Sequence, residues 1–171
     1  MGKLLFRLAR LKIMGTLVGF ALAYFPFLVP VKKIKLNKYA ISFTHPVTVY
    51  PDHVLIIPRR IVRTVFGLSS KDCINIIEMA VKIRHGDSRD FVLLINGGDR
   101  QDVMQAHFHL FTGNLVAKKE LTKTIDSSFI LQDGYIDSNL RSALRLHNVN
   151  ENSFSMIIQF NKDAEPSMYL D

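Results

Sequence analysis

Two histidines and a glutamine alternate along one short stretch, Gln105-Ala106-His107-Phe108-His109. On a β-strand, alternate side chains point to the same side. Gln105, His107 and His109 would then share a face with Val103, while Met104, Ala106, Phe108 and Leu110 fill the core face. At a rise of roughly 3.3 Å per residue the two imidazoles stand about 7 Å apart, within reach of one phosphate. One could serve as nucleophile and the other as hydrogen-bond donor or acid. A His-x-His pair could equally hold a metal. Two neighbours favour the phosphate. The loop Asn96-Gly97-Gly98-Asp99-Arg100 offers backbone N–H groups suited to an anion. His53 leads into the aliphatic run Val54-Leu55-Ile56-Ile57.

These residues need a scaffold, and the pattern supplies one. Residues 39–43 read as a short strand and 54–57 as a strand buried on both faces, ended by Pro58. Ser70 is a plausible N-cap for a helix that runs to about Arg84, with Ile74, Ile77 and Val81 at helical spacing and a glycine cap at Gly86. Residues 91–95 and 101–111 read as strands. The Asn-Gly-Gly loop between them signals a hairpin, so they should be antiparallel neighbours. Further on, 128–131 and 153–160 look like strands and 138–146 like a short helix, with fraying from Asn161.

The residues quoted so far resemble the histidine-triad (HIT) family of nucleotide hydrolases and transferases. The family pattern is a His-φ-His-φ-His strand preceded by Gln-x-Val. Here it reads Gln101-Asp102-Val103-Met104-Gln105-Ala106-His107-Phe108-His109. Pro51-Asp52-His53-Val54-Leu55-Ile56-Ile57-Pro58-Arg59 matches a second family element and Asn96-Gly97-Gly98 a third. The likeness covers residues 31–113.

It implies an α+β fold, a HIT-like antiparallel sheet with a central helix. An apolar N-terminal helix would be added to it. It implies that His107 attacks an α-phosphorus and forms a nucleotidyl-imidazole intermediate, with His109 contacting phosphate and leaving group. Asn96, Gly97, Gly98 and Gln101 fall at substrate-binding positions. So does Asp102, where the family often has serine. His53 matches a buried histidine supporting the first triad member. Gln105 stands where that first histidine is expected, and it cannot shuttle a proton near pH 7. His45 stands where the family has an acidic ribose-binding residue. The resemblance implies a nucleotide or nucleotide conjugate as partner, a homodimer, and neither a cofactor nor a metal.

Three regions follow: 1–31, a basic and apolar helix that anchors to a membrane or covers the sheet; 32–113, the HIT-like core; and 114–171, an α/β extension packed on it. Residues 13–31 carry no charged side chain, a run that meets the usual transmembrane criterion of roughly 18 residues. Lys3, Arg7 and Arg10 share a helix face ahead of it, and Lys32, Lys33, Lys35 and Lys38 follow. That arrangement suits an anionic membrane surface, in a cytoplasmic protein attached through residues 1–31.

The chain has 171 residues, room for one domain. Its net charge of +7 favours anionic partners. The charge clusters near the N-terminus rather than among aromatics on strands, which argues against nucleic acid. The lone Cys73 excludes an internal disulfide and a cysteine-built zinc site, and its apolar surroundings make it a core residue. No Gly-Lys-Ser/Thr follows a glycine loop, so there is no P-loop.

Overall fold

The computed structural model describes residues 17, 20, 21, 24, 25, 32–45, 52–84, 90–101, 103–112, 124–126, 136–146, 148–160 and 167–170. In chain order the elements are β1 (Lys33–Leu36), β2 (Ala40–Thr44), β3 (Val54–Pro58), α1 (Ser70–Arg84), β4 (Phe91–Gly98), β5 (Phe108–Thr112), β6 (Thr124–Asp126), α2 (Ile136–Leu146), β7 (Ser153–Phe160) and β8 (Ser167–Leu170). A 3-10 turn, Val65–Gly67, precedes α1. The strands form one sheet in the order β1-β2-β3-β5-β4-β7-β8-β6. Every pairing is antiparallel. This is the α+β arrangement expected.

The register sorts the side chains onto two faces. Val54, Leu110, Leu93 and Ile158 stand opposite one another across β3, β5, β4 and β7. They join Ile56, Phe108, Ile95 and Phe154 in the main core. α1 covers this face over β1–β3. α2 packs on the 3-10 turn, where the Phe66 ring meets Phe154 at 5.6 Å. Each buried branched aliphatic here contributes about 1.5–3 kcal/mol. Leu55, His109, Leu94 and Ile157 lie on the other face. There Ile41, Phe43, Leu55 and Ile57 form a smaller cluster. Strand β3 is therefore buried on both sides, as its unbroken aliphatic run predicted.

Several expectations are corrected. The strand expected over 101–111 begins only at Phe108; Val103 to Gln105 bend instead. Asn96, Gly97 and Gly98 belong to β4 rather than to a tight hairpin loop, because β7 pairs with them. β4 and β5 are antiparallel neighbours as expected, joined by a longer connection. On α1 the buried side is Asp72, Cys73, Ile76, Met79 and Ala80, and Ile74 and Val81 are exposed. The cap of α1 is Ser69, not Ser70. The C-terminal stretch pairs as β8 with β7 and β6, where fraying was expected.

Residues 1–16, Asp102 and the turn at Gly86 lie outside the described residues, as does the expected strand at 128–131. Leu17, Phe20, Tyr24 and Phe25 are described and exposed. Among the described residues no helix is long and apolar enough to cross a membrane. Cys73 is buried, and burial pushes its thiol up to about 12, which suits a core residue.

The start of α1 is a capping box. The Asp72 N–H donates to Ser69 Oγ at 3.2 Å, and the Ser69 N–H donates to Asp72 Oδ2 at 2.8 Å. Arg60 Nε donates to both carboxylate oxygens, at 3.2 and 2.9 Å. Burial raises the Asp72 carboxyl, but the Arg60 and Ser69 hydrogen bonds outweigh it and hold the group below its ordinary 3.8. The resulting stability is present above that ordinary value and is lost as the pH falls through the lower folded one. We expect Asp72→Asn to destabilise the fold by about 1–3 kcal/mol at neutral pH, with a smaller difference in strong acid, as measured by denaturant unfolding.

Candidate functional site

The bend before β5 is held by two amides. Gln105 is 2% exposed. Its Oε1 accepts from the Val62 N–H at 3.2 Å and its Nε2 donates to the Arg60 carbonyl at 3.0 Å. The Ala106 N–H donates to the Val62 carbonyl at 2.6 Å. Gln101 Nε2 donates to the carbonyls of Arg63 and Val103, each at 2.6 Å. Gln105 therefore does not stand in a row with the histidines. Its amide turns into the loop before α1 and satisfies backbone groups that would otherwise be buried without partners.

Its carbonyl does face the site. His107 Nδ1 lies 2.7 Å from Gln105 O. A carbonyl only accepts, so Nδ1 carries the proton and Nε2 is the basic nitrogen of the neutral ring. His107 precedes β5 by one residue, and continuing the β4–β5 register sets it opposite Asn96. The His107 and His109 rings are 4.9 Å apart, edge to face.

His109 is bonded through Nδ1 to Nε2 of His53 at 2.8 Å. The resemblance has His53 supporting the first triad position, at Gln105, but the structure sets it beside His109. The reason is register: Val54 pairs with Leu110, so the residue before β3 arrives next to His109 and Phe111. Phe111 stacks on His53 at 4.2 Å. His45 leaves the end of β2, its N–H donating to the His53 carbonyl at 3.0 Å, and its ring stacks on His53 at 4.2 Å.

Across the site, Ser155 Oγ donates to Asn96 Oδ1 at 2.9 Å, and Arg100 Nη1 donates to Ser155 Oγ at 3.2 Å. With its oxygen so engaged, Asn96 turns its NH2 donors the other way. The sequence reading did not single out Ser155 or the Arg100 side chain. Ser155 is a polar residue within an apolar strand, but only the β4–β7 register reveals its partner. Gly97 and Gly98 have packing reasons of their own. A Cβ at Gly97 would stand 2.2 Å from the Phe154 ring. Gly98 has φ +60, and a Cβ there would meet the Asn152 carbonyl oxygen at 1.9 Å.

No family model matches the chain, and no curated protein matches it. Solved structures do. A hypothetical protein from Leishmania major has a TM-score of 0.52 and 17% identity, over 77% of this chain and 96% of that one. A histidine triad protein from Clostridium difficile has a TM-score of 0.48 and 23% identity, over 57% and 90%. A HIT family hydrolase from Legionella pneumophila has 0.46 and 22%, over 56% and 91%. The chain shares its fold with the Leishmania major protein. At these identities the likeness is one of fold.

Within the site the inner imidazoles resist protonation. Burial first, and then the neighbouring histidines, lower His109 to about 2 and His53 to about 3. An unfolded chain takes these protons near 6.5. Stability from the two rings is thus full above that value and is lost as the pH falls from it toward the folded values. NMR of the ring nitrogens should find His53 and His109 neutral at pH 5 and His107 protonated at Nδ1. Denaturant unfolding should give lower stability at pH 5 than at pH 7.5. A ring of this pair titrating near 6.5 would contradict the arrangement.

Proposed function

We propose that this chain binds a nucleotide or nucleotide conjugate and acts as a hydrolase or nucleotidyl transferase at a phosphate ester or anhydride. The observation that carries this reading is the 2.7 Å contact between His107 Nδ1 and the Gln105 carbonyl, which makes Nε2 the nucleophile. Nε2 attacks the α-phosphorus. The bond from phosphorus to the leaving group breaks, and the leaving group departs with its electron pair. Gln105 has no proton to give, so water supplies one to the leaving group. Water then attacks the phosphorus of the nucleotidyl-imidazole, releasing the nucleotide and restoring His107. A different acceptor in place of water gives transfer. His109 sits beside the reacting phosphate, and the Asn96 amide and backbone N–H groups near Arg100 supply further donors to it.

Turnover of a fluorogenic adenosine phosphoramidate tests the reading. His107→Ala is expected to abolish it, a loss of at least about 100-fold. If the wild type and His107→Ala hydrolyse a broad nucleotide panel equally poorly, the enzymatic reading fails.

A second reading, a non-catalytic nucleotide-binding module held at a membrane, draws support from the exposed Leu17, Phe20, Tyr24 and Phe25. Basic residues precede and follow this segment. In either case we place the protein in the cytoplasm, attached through residues 1–31 to an anionic surface. The full chain is expected to float with anionic liposomes, and a chain lacking residues 1–31 is expected to stay behind. Equal flotation of the two would remove the anchor.

A further inference from the structure

Three strands bring one imidazole each to a single point on the site face. His45 comes from the end of β2, His53 from the start of β3 and His109 from within β5. One ring nitrogen of each lies within 4.8 Å of the other two. We propose that His45, His53 and His109 form a binding site for a divalent first-row cation that prefers nitrogen ligands, Zn2+ being the probe of choice.

The donor set selects the class of ion. Three imidazoles without a carboxylate among them suit zinc and its neighbours, not magnesium or calcium, which require oxygen. Asp52 lies next to His53 in the chain, but its carboxylate is directed to Arg84 at 3.8 Å.

The geometry must change for this: the His45 ring, stacked on His53 at 4.2 Å and 11°, has to tilt off that stack. Zinc–nitrogen bonds of about 2.0–2.1 Å in a tetrahedron put the ligand nitrogens about 3.3 Å apart. The His53–His109 contact is 2.8 Å, so that pair opens by about half an ångström while the His45 ring swings inward. The ion takes the place of the proton shared between His53 and His109. The ring that carried the proton moves it to its other nitrogen, so each ligand stays neutral and no net proton leaves.

Three protein ligands leave a fourth position open. A substrate phosphate oxygen can fill it. That last step rests on the nucleotide reading; the cation site does not. His45 decides the matter, because it occupies the position where the HIT resemblance expects an acidic ribose ligand. Without it only a hydrogen-bonded pair remains.

The test uses the full chain after stripping with a chelator. Calorimetric titration with Zn2+ is expected to show one ion per chain. Co2+ is expected to give the visible absorption of a four-coordinate site. His45→Gln should weaken binding at least about tenfold, whereas His107→Ala should bind as the wild type does. NMR of the wild type gives a readout independent of any variant: Zn2+ should shift the ring signals of His45, His53 and His109 together. No uptake at micromolar Zn2+ would overturn the proposal, as would unchanged affinity in His45→Gln or shifts centred elsewhere. Nucleotide turnover by the stripped protein is measured separately, so failure of the cation site and failure of the nucleotide reading are told apart.

Discussion

The side chain of Gln105 is the tie on which the site depends. Its amide spans two backbone groups of the loop before α1, the Val62 N–H and the Arg60 carbonyl. Its own carbonyl, pointing the other way, sets the tautomer of His107. One residue thus joins a loop, a bend and the His107 ring. A buried amide with both ends satisfied is stable, and one with an end cut loose leaves an unpaired group in the interior. Gln105 therefore acts as a structural tie. The amide fixes the geometry around His107 but carries no proton.

Strand β5 divides the labour of the molecule. Phe108 and Leu110 are driven into the core by apolar burial. Their alternation obliges His109 to project from the opposite face. Neighbouring strands then fill that face: His53 and His45 from one side, and Asn96 with Ser155 and Arg100 from the other. The polar site is held by an apolar framework beneath it. Its own hydrogen bonds orient the groups rather than hold the sheet together.

Much of this was legible in the sequence because it rests on local pattern. The buried run 54–57 had to be an interior strand, and the apolar alternation around Phe108 had to place His109 on a face. The spacing of His107 and His109 survived even though β5 is shorter than the pattern suggested. What could not be read depends on register. Whether His53 meets Gln105 or His109 is settled by which residue Val54 pairs with. The same holds for Ser155 and Asn96. The expected Gly-Gly hairpin failed because β7 competes for those backbone groups. The spacing of Ile74 and Val81 marks a helix, yet both point to solvent, while the shorter Cys73 and Ala80 face the sheet. Apolar spacing identifies a helix without saying which of its apolar sides is chosen.

The loop from Arg60 to Val62 has two masters. At one end Arg60 grips Asp72 and so the first turn of α1; at the other the same backbone grips Gln105. The helix cap and His107 are therefore mechanically in series. Sequence drift at Ser69 or Asp72, far from any histidine, would be felt at His107 as a change in aim. Natural variation in such a chain should thus come in matched sets: a new cap residue would be tolerated where the loop, or the amide that leans on it, has changed in step.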